Sequence, residues 1–445
     1  MSEYRRALEH AGRHFPPPYD ALSRLRRRRE RKGLRRRIVA GATALVIAAG
    51  GTGVALVALG RFEPRSGRLD APNVASLRLA WTAKAEGTAR VAAVGNRVYV
   101  GAEDGNLYAF VATCGTDGVQ CRPLWVGHTG LSIGSSPVVS DGIVFVAAAT
   151  PRRQGNVFAF PASCGAGGGT CRPLWRGLLD VMVDASPMVA VDADTVYVAS
   201  DPGSVSAFPA KCRTDGGICL PNSRVQAVLQ ESFPAPPVVL DGRLYVVDSD
   251  RRLRAYAAGC ERGECHPPLW SASLGPLVPS GLAAADGLLF VTSSDPERSS
   301  GQVRAFRASC GLEGATCEPA WTATTRGPVD AAPVAAEGRL FVADATTIYA
   351  FPTSCGHRGP TCDPMWTAAL PTVTGLSAAP GGLLFAASAD GSLSAFDATC
   401  RRDPRCRPLW TWEAGTSALT PPSVTQQAVS VGSAQGRVFV FRLPG

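Results

Sequence analysis

Aromatic-ended segments recur along this chain at Phe110, Phe160, Phe208, Tyr256, Phe306, Phe351, Phe396 and Phe441. Their spacings are 50, 48, 48, 50, 45, 45 and 45 residues. A period in this range restricts the fold to a propeller, a solenoid or an array. One unit reads SPVVSDGIVFVAAAT, then GNVFAF, then Cys164…Cys171, then RPLW ending at Trp175. Asp141-Gly142 lies between two apolar runs, a strong hairpin signal, and Asp241-Gly242, Asp286-Gly287 and Glu337-Gly338 repeat it. Asp104-Gly105 and Asp390-Gly391 mark a second turn, and Trp81, Trp125, Trp175, Trp270, Trp321, Trp366 and Trp410 each sit in a further apolar run. Four short antiparallel strands per unit, A to D from the centre outward, make a propeller blade. No 3.6-residue periodicity competes with them.

The ends of the array set the blade count. The last unit stops after strand C at Phe439–Arg442, and the first Trp strand, Leu77–Thr82, has no A, B or C strand before it. Joining the two fragments completes an eighth blade and closes the ring, which removes long exposed sheet edges. The expected fold is all-β, an eight-bladed propeller over residues 75–445, preceded by a tail (1–37), a transmembrane helix (38–59) and a linker (60–74).

Repeats of this kind, SPVVSDGIVFV…GNVFAF…PLW, resemble those of the quinoprotein family, whose eight-bladed propellers bind pyrroloquinoline quinone (PQQ). They are also similar to non-catalytic relatives such as the outer-membrane assembly propeller lipoprotein. The resemblance spans about residues 75–445. It departs from the family between strands C and D, where cysteine-bounded loops stand in place of a Thr-Gly-Lys turn. The resemblance implies a site over the central channel, on the face that carries the D–A and B–C loops. In dehydrogenases of the family this site holds Ca²⁺, several oxygen ligands and a catalytic aspartate.

All 14 cysteines fall into close pairs: Cys114–Cys121, Cys164–Cys171, Cys212–Cys219, Cys260–Cys265, Cys310–Cys317, Cys355–Cys362 and Cys400–Cys406. Each pair flanks the C–D loop of one blade, and the eighth blade, its D strand drawn from the other end of the chain, has none. The flanks of a tight antiparallel hairpin meet at disulfide distance, and one such loop is worth roughly 2–2.5 kcal/mol in chain entropy. Zinc needs four ligands, and each loop offers two cysteines; His266 adjoins one pair and His357 lies within another. Seven local disulfides are therefore expected, and no metal.

Residues Ile38–Leu59 carry no charged side chain and are long enough to cross a hydrocarbon core of ~30 Å as a helix. Arg35, Arg36 and Arg37 precede them, so the positive-inside rule places residues 1–37 in the cytoplasm and the propeller outside the cell membrane. The alternative is a cleaved signal near Ala58–Gly60, with an unusually long basic region; Arg36–Arg37 is also compatible with twin-arginine export. The basic tail further suits anionic lipid head groups.

The formal charge of +9 belongs to that tail, because residues 1–37 hold 13 of the 45 basic and 4 of the 36 acidic side chains, leaving 32 of each. A neutral body argues against nucleic acid as a partner. A hydrophobic fraction of 45% with 18% charged residues also excludes a mostly disordered chain.

The positions expected nearest the channel mouth are Thr88, Gly134, Asp184, Pro234, Pro279, Asp330, Thr374 and Leu419, of which Asp184 and Asp330 carry charge. Aspartates in such turns more often cap the backbone. Two longer B–C loops are candidate binding elements: one carries Arg152 and Arg153, the other Asp295, Glu297 and Arg298. No P-loop, His-Glu-x-x-His or nucleophile elbow is present. The expected function is a membrane-held binding or scaffolding module, without cofactor. The alternatives are a PQQ- and Ca²⁺-dependent oxidoreductase and, more weakly, a transmembrane sensor.

Overall fold

A computed structural model describes residues 68–445 apart from 150–153, 166–168, 183–187, 193, 201–202, 227–232, 234, 259–262, 265–266, 296, 312–314, 356–358, 401–404, 416–417 and 445. The tail and the apolar stretch Ile38–Leu59 thus lie outside the described residues. Among those described, no helix is long and apolar enough to cross a membrane.

The described strands form eight sheets, each with four antiparallel strands as the repeat requires, and in five of them a short parallel strand joins the outer edge. Blade 1 shows the pattern: A is Ala89–Val94, B Arg97–Ala102, C Asn106–Val111 and D Trp125–His128. Asp141, Asp241, Asp286 and Glu337 have φ of 46–53° at the A–B turns, the left-handed conformation that the Asp/Glu-Gly pairs signalled. The D strand of blade 3, Ser223–Gln226, carries no tryptophan.

Strand exchange closes the ring. Arg78–Lys84 pairs antiparallel with Arg437–Arg442, setting Trp81 opposite Val440 and Thr82 opposite Phe439. Within the stretch read as linker, Leu69 and Val74 are fully buried. With Leu77 they pack between blades 7 and 8 against Phe385, Leu393, Phe439 and Phe441, filling the place that a cysteine-bounded loop occupies between other blades.

Six of the expected disulfides are present, from Cys114–Cys121 to Cys400–Cys406; Cys260 and Cys265 lie outside the described residues. The loops also act beyond their own blade. Val119–Gln120, from the loop of blade 1, runs parallel to the D strand of blade 8, opposite Trp81 and Thr82. The same parallel pairing joins Gly169–Cys171 to Trp125–Gly127, and Ala315–Thr316 to Trp270–Ser271. Thr361 and Arg405 form single parallel bridges to Thr322 and Thr367. Each of these loops therefore caps the outer edge of the preceding blade, and its disulfide holds that cap in shape.

Tryptophans and strand-B aromatics form the core between blades. Trp81, Trp175, Trp321 and Trp366 donate Nε1–H to the carbonyl oxygens of Ala112, Ala210, Thr353 and Ala398, each in the following blade. Where strand B carries tyrosine, the tyrosine takes that carbonyl: Tyr99 OH donates to Ala162 O (3.1 Å) and Tyr245 OH to Ala308 O (3.0 Å). In those two blades the tryptophan, Trp125 or Trp270, is left with Nε1 unpaired. Blade 3, lacking the tryptophan, uses Tyr197 OH on Ala258 O (2.7 Å).

Two residues after its tryptophan, each D strand keeps a small side chain or valine, except in blade 7. A Cβ at Gly127 or Gly177 would come within 2.6 or 2.5 Å of Phe160 or Phe208 in the next blade. Blade 7 has Trp412 there. Its ring lies 4.7 Å from that of Phe439 and 4.8 Å from Phe441, and Trp410 lies 5.2 Å from Phe441.

Candidate functional site

The strand order places the D–A and B–C loops on one face of the ring. Two of the positions aligned along the repeat are in contact, as Thr374 Oγ1 donates to Leu419 O at 2.6 Å. Asp330 is exposed and lines a recess of about 240 Å³ together with Asp344, Thr372 and Thr374. Thr372 has φ of 52°, a left-handed conformation that is costly for a β-branched residue. Its N–H donates to Ala345 O (2.7 Å) and its carbonyl accepts from Ala389 N (2.9 Å), which holds the strained turn in place.

Asp344, not singled out from the sequence, organises the wall of this recess. Its carboxylate accepts from the N–H groups of Gly327 (3.0 Å), Thr346 (2.9 Å) and Thr347 (2.8 Å), and from Tyr349 OH (2.7 Å). Burial, assisted by the Asp344 bond, pushes the Tyr349 hydroxyl pKa up. Asp104 repeats the motif in blade 1, accepting from Tyr108 OH at 2.6 Å and from Asn106 N at 2.9 Å. In blade 4 an arginine replaces the tyrosine. Arg254, 5% exposed, donates to Asp248 and Asp250, and Asp248 keeps one buried oxygen without a hydrogen-bond partner. Burial lowers the pKa of Arg254, and pairing with two carboxylates is what makes its charge tolerable there. The spacing Asp-x3-Tyr or Asp-x4-Tyr after strand B was the available signal, hidden among the Asp-rich turns.

The remaining candidates do not gather. Asp184, Arg152 and Arg153 lie outside the described residues. Asp295 caps its own turn, accepting from Glu297 N (3.0 Å) and Arg298 N (3.2 Å), while the Arg298 guanidinium lies 3.8 Å from its carboxylate. The longer B–C loop of blade 5 is in fact an extension of the hairpin, with Asp295 paired to Ser300.

Calcium takes six to eight oxygen ligands. Of the described channel-mouth positions, Thr88, Gly134, Pro279, Asp330, Thr374 and Leu419, one carries a carboxylate. Among the described residues no three His, Cys, Asp or Glu side chains group as metal ligands. The described residues at this mouth do not by themselves make up the quinone–calcium set of the dehydrogenases.

Residues 167–260 and 267–359 match a family model described as outer membrane protein assembly factor BamB. No curated protein matches the chain. Among solved structures, BamB from Moraxella catarrhalis shares 14% identity at a TM-score of 0.59, over 82% of this chain and 97% of that one. The computationally designed protein Ika8 shares 14% at 0.61, over 82% and 99%. Sqt1 from Saccharomyces cerevisiae shares 12% at 0.57, over 85% and 99%. At such identities the structural likeness carries the fold, and the family match is confined to the central repeats. Residues 167–260 and 267–359 are thus similar to PQQ-like propeller repeats, within a chain that shares the β-propeller fold.

Proposed function

We propose that this protein is a binding or scaffolding module, held at the outer side of the cell membrane by Ile38–Leu59, with its D–A/B–C loop face as the partner-binding surface. The observation that carries the reading is the match of its central repeats to an assembly-factor propeller, on a ring stiffened at its seams by disulfide-bounded loops. Rigid scaffolds with irregular loops on one face suit protein recognition. The disulfides favour an oxidising compartment, in agreement with the basic block that precedes the apolar stretch. The described residues at this mouth, with one carboxylate among them, suit a protein partner better than a redox cofactor.

Photo-crosslinking from Asp330 and Thr372 in intact cells tests the surface. Discrete adducts from these positions, and none from the outer D strands, are expected; adducts of equal yield from both would overturn the assignment. Protease added to spheroplasts should remove the propeller and spare residues 1–37; the reverse pattern would refute the topology. Saturable PQQ and Ca²⁺ binding with dye-linked alcohol oxidation would establish the oxidoreductase reading instead.

A further inference from the structure

The Asp–Tyr couple occurs in two seams with a different donor on the tyrosine hydroxyl. Between blades 5 and 6 the D–A loop folds down onto it: Gly327 N donates to Asp344 (3.0 Å), and Arg326 N donates to Tyr349 OH (3.1 Å). At the closing seam, between blades 8 and 1, the loop bonds the aspartate more loosely: Ala85 N extends the strand ladder to Gly436 O (2.9 Å), and Glu86 N donates to Asp104 at 3.3 Å. Asn106 Nδ2, rather than a loop amide, donates to Tyr108 OH (3.2 Å). The result is an open recess of about 450 Å³ lined by Lys84, Ala85, Glu86, Asp104, Asn106 and Tyr108.

Its deeper groups are fixed before any ligand arrives. His128 Nδ1 and Asn106 Oδ1 lie 2.6 Å apart, Asn106 bonds Tyr108, and Tyr108 bonds Asp104, so four side chains from strands C and D and the B–C turn lock one another. Such mutual satisfaction preorganises a polar surface. The rim adds two exposed charges of opposite sign, Lys84 and Glu86.

We propose that this recess binds a neutral polyhydroxylated ligand, a sugar unit, held by Lys84, Glu86 and Asp104 over the Tyr108 wall. An anion would meet two carboxylates, and a simple ammonium would meet Lys84. A sugar hydroxyl both donates and accepts, so neighbouring hydroxyls satisfy a carboxylate and an ammonium at once. The volume lies within the range of small-molecule sites, and the open mouth admits a terminal unit of a longer glycan.

The test is saturation-transfer NMR and calorimetry on the full chain with three neutral disaccharides, trehalose, maltose and N,N′-diacetylchitobiose, and with glutamine as a zwitterionic control. Saturable millimolar binding of at least one disaccharide is expected. Glu86→Gln and Lys84→Ala, both at exposed positions, should each weaken it by about tenfold, the loss of one charge-assisted hydrogen bond, with the melting temperature unchanged. Lack of saturable binding by all three sugars, binding indifferent to both substitutions, or tighter binding of glutamine than of any disaccharide would each overturn the proposal. The scaffold reading does not depend on this result, since crosslinking from Asp330 and Thr372 reports a different face position.

Discussion

In seven of the eight seams one carbonyl accepts either a tryptophan or a tyrosine donor, and this competition gives a sharp test of how the core is held. In blade 1, Tyr99 OH occupies Ala162 O while Trp125 Nε1–H, buried, has no partner. In blade 3, Tyr197 OH occupies Ala258 O, and Ser223 stands where the tryptophan would be. Removing the hydroxyl therefore has different consequences in the two blades. Tyr197→Phe strands a carbonyl and costs about 1–3 kcal/mol, the penalty for an unsatisfied buried group. Tyr99→Phe strands the same carbonyl but frees it for Trp125 Nε1–H, as Trp175 and Trp321 already bond their carbonyls beside Phe145 and Phe290. One bond replaces another and a standing orphan is satisfied, so the net change lies within about 0.5 kcal/mol of zero. Urea unfolding of both variants under oxidising conditions, compared at equal slope, measures the difference. Equal losses in the two variants, or a larger loss in Tyr99→Phe, would show that the tryptophan cannot take over and that the exchange rule is wrong.

Four further outcomes are expected. Trp81→Ala should cost about 3–5 kcal/mol, as for a fully buried tryptophan, and should expose Arg78–Lys84 to protease before any other strand; simultaneous cleavage throughout the ring would argue against that strand as the closing element. Replacing Cys310 and Cys317 by alanine should cost about 2.5 kcal/mol and speed amide exchange in Trp270–Ser273, one blade away; loss of protection confined to blade 5 would contradict the capping role. Gly177→Val should destabilise by about 1–3 kcal/mol through the clash with Phe208, and unchanged stability by calorimetry would count against the close approach. Burial and the Asp104 bond push the Tyr108 pKa up to about 12, above its unfolded value of 10.0. The stabilisation from its protonated form is complete below pH 10.0 and is lost as pH rises through the folded value, so the stability gap between wild type and Tyr108→Phe should narrow across that window.

The blade count, the strand exchange and the disulfide pairing were legible because each leaves a periodic mark in side chains: aromatic ends, Asp-Gly turns, paired cysteines. The parallel caps at Val119–Gln120 or Ala315–Thr316 left none, because two residues joined through backbone groups impose no side-chain pattern. Trp412 was visible as a tryptophan, yet its role depends on a neighbouring blade more than 20 positions along the chain and on the absence there of a loop. Leu69 and Val74 read as linker because their partners, Phe385 and Phe441, lie over 300 residues away. Asp330 was reached by counting along the repeat, and it lines a recess. The Asp344–Tyr349 couple behind it could not be reached in that way, since aspartate in a turn has the same appearance whether it bonds its own backbone or a tyrosine on the next strand.

The parallel caps offset the inherited unit from the packed one. A repeat copied whole brings a loop that covers its predecessor and an edge that its successor will cover. A duplicated blade inserted anywhere within the run would therefore find a lid waiting and supply one in turn, and the ring could grow or shrink by whole repeats without a new surface being invented. The junction where the two ends meet lies outside that economy. There the lid had to be improvised from Leu69, Val74 and Leu77, and the gap filled by Trp410 and Trp412. Divergence among relatives with different blade numbers should accordingly concentrate at this junction, while interior repeats remain interchangeable.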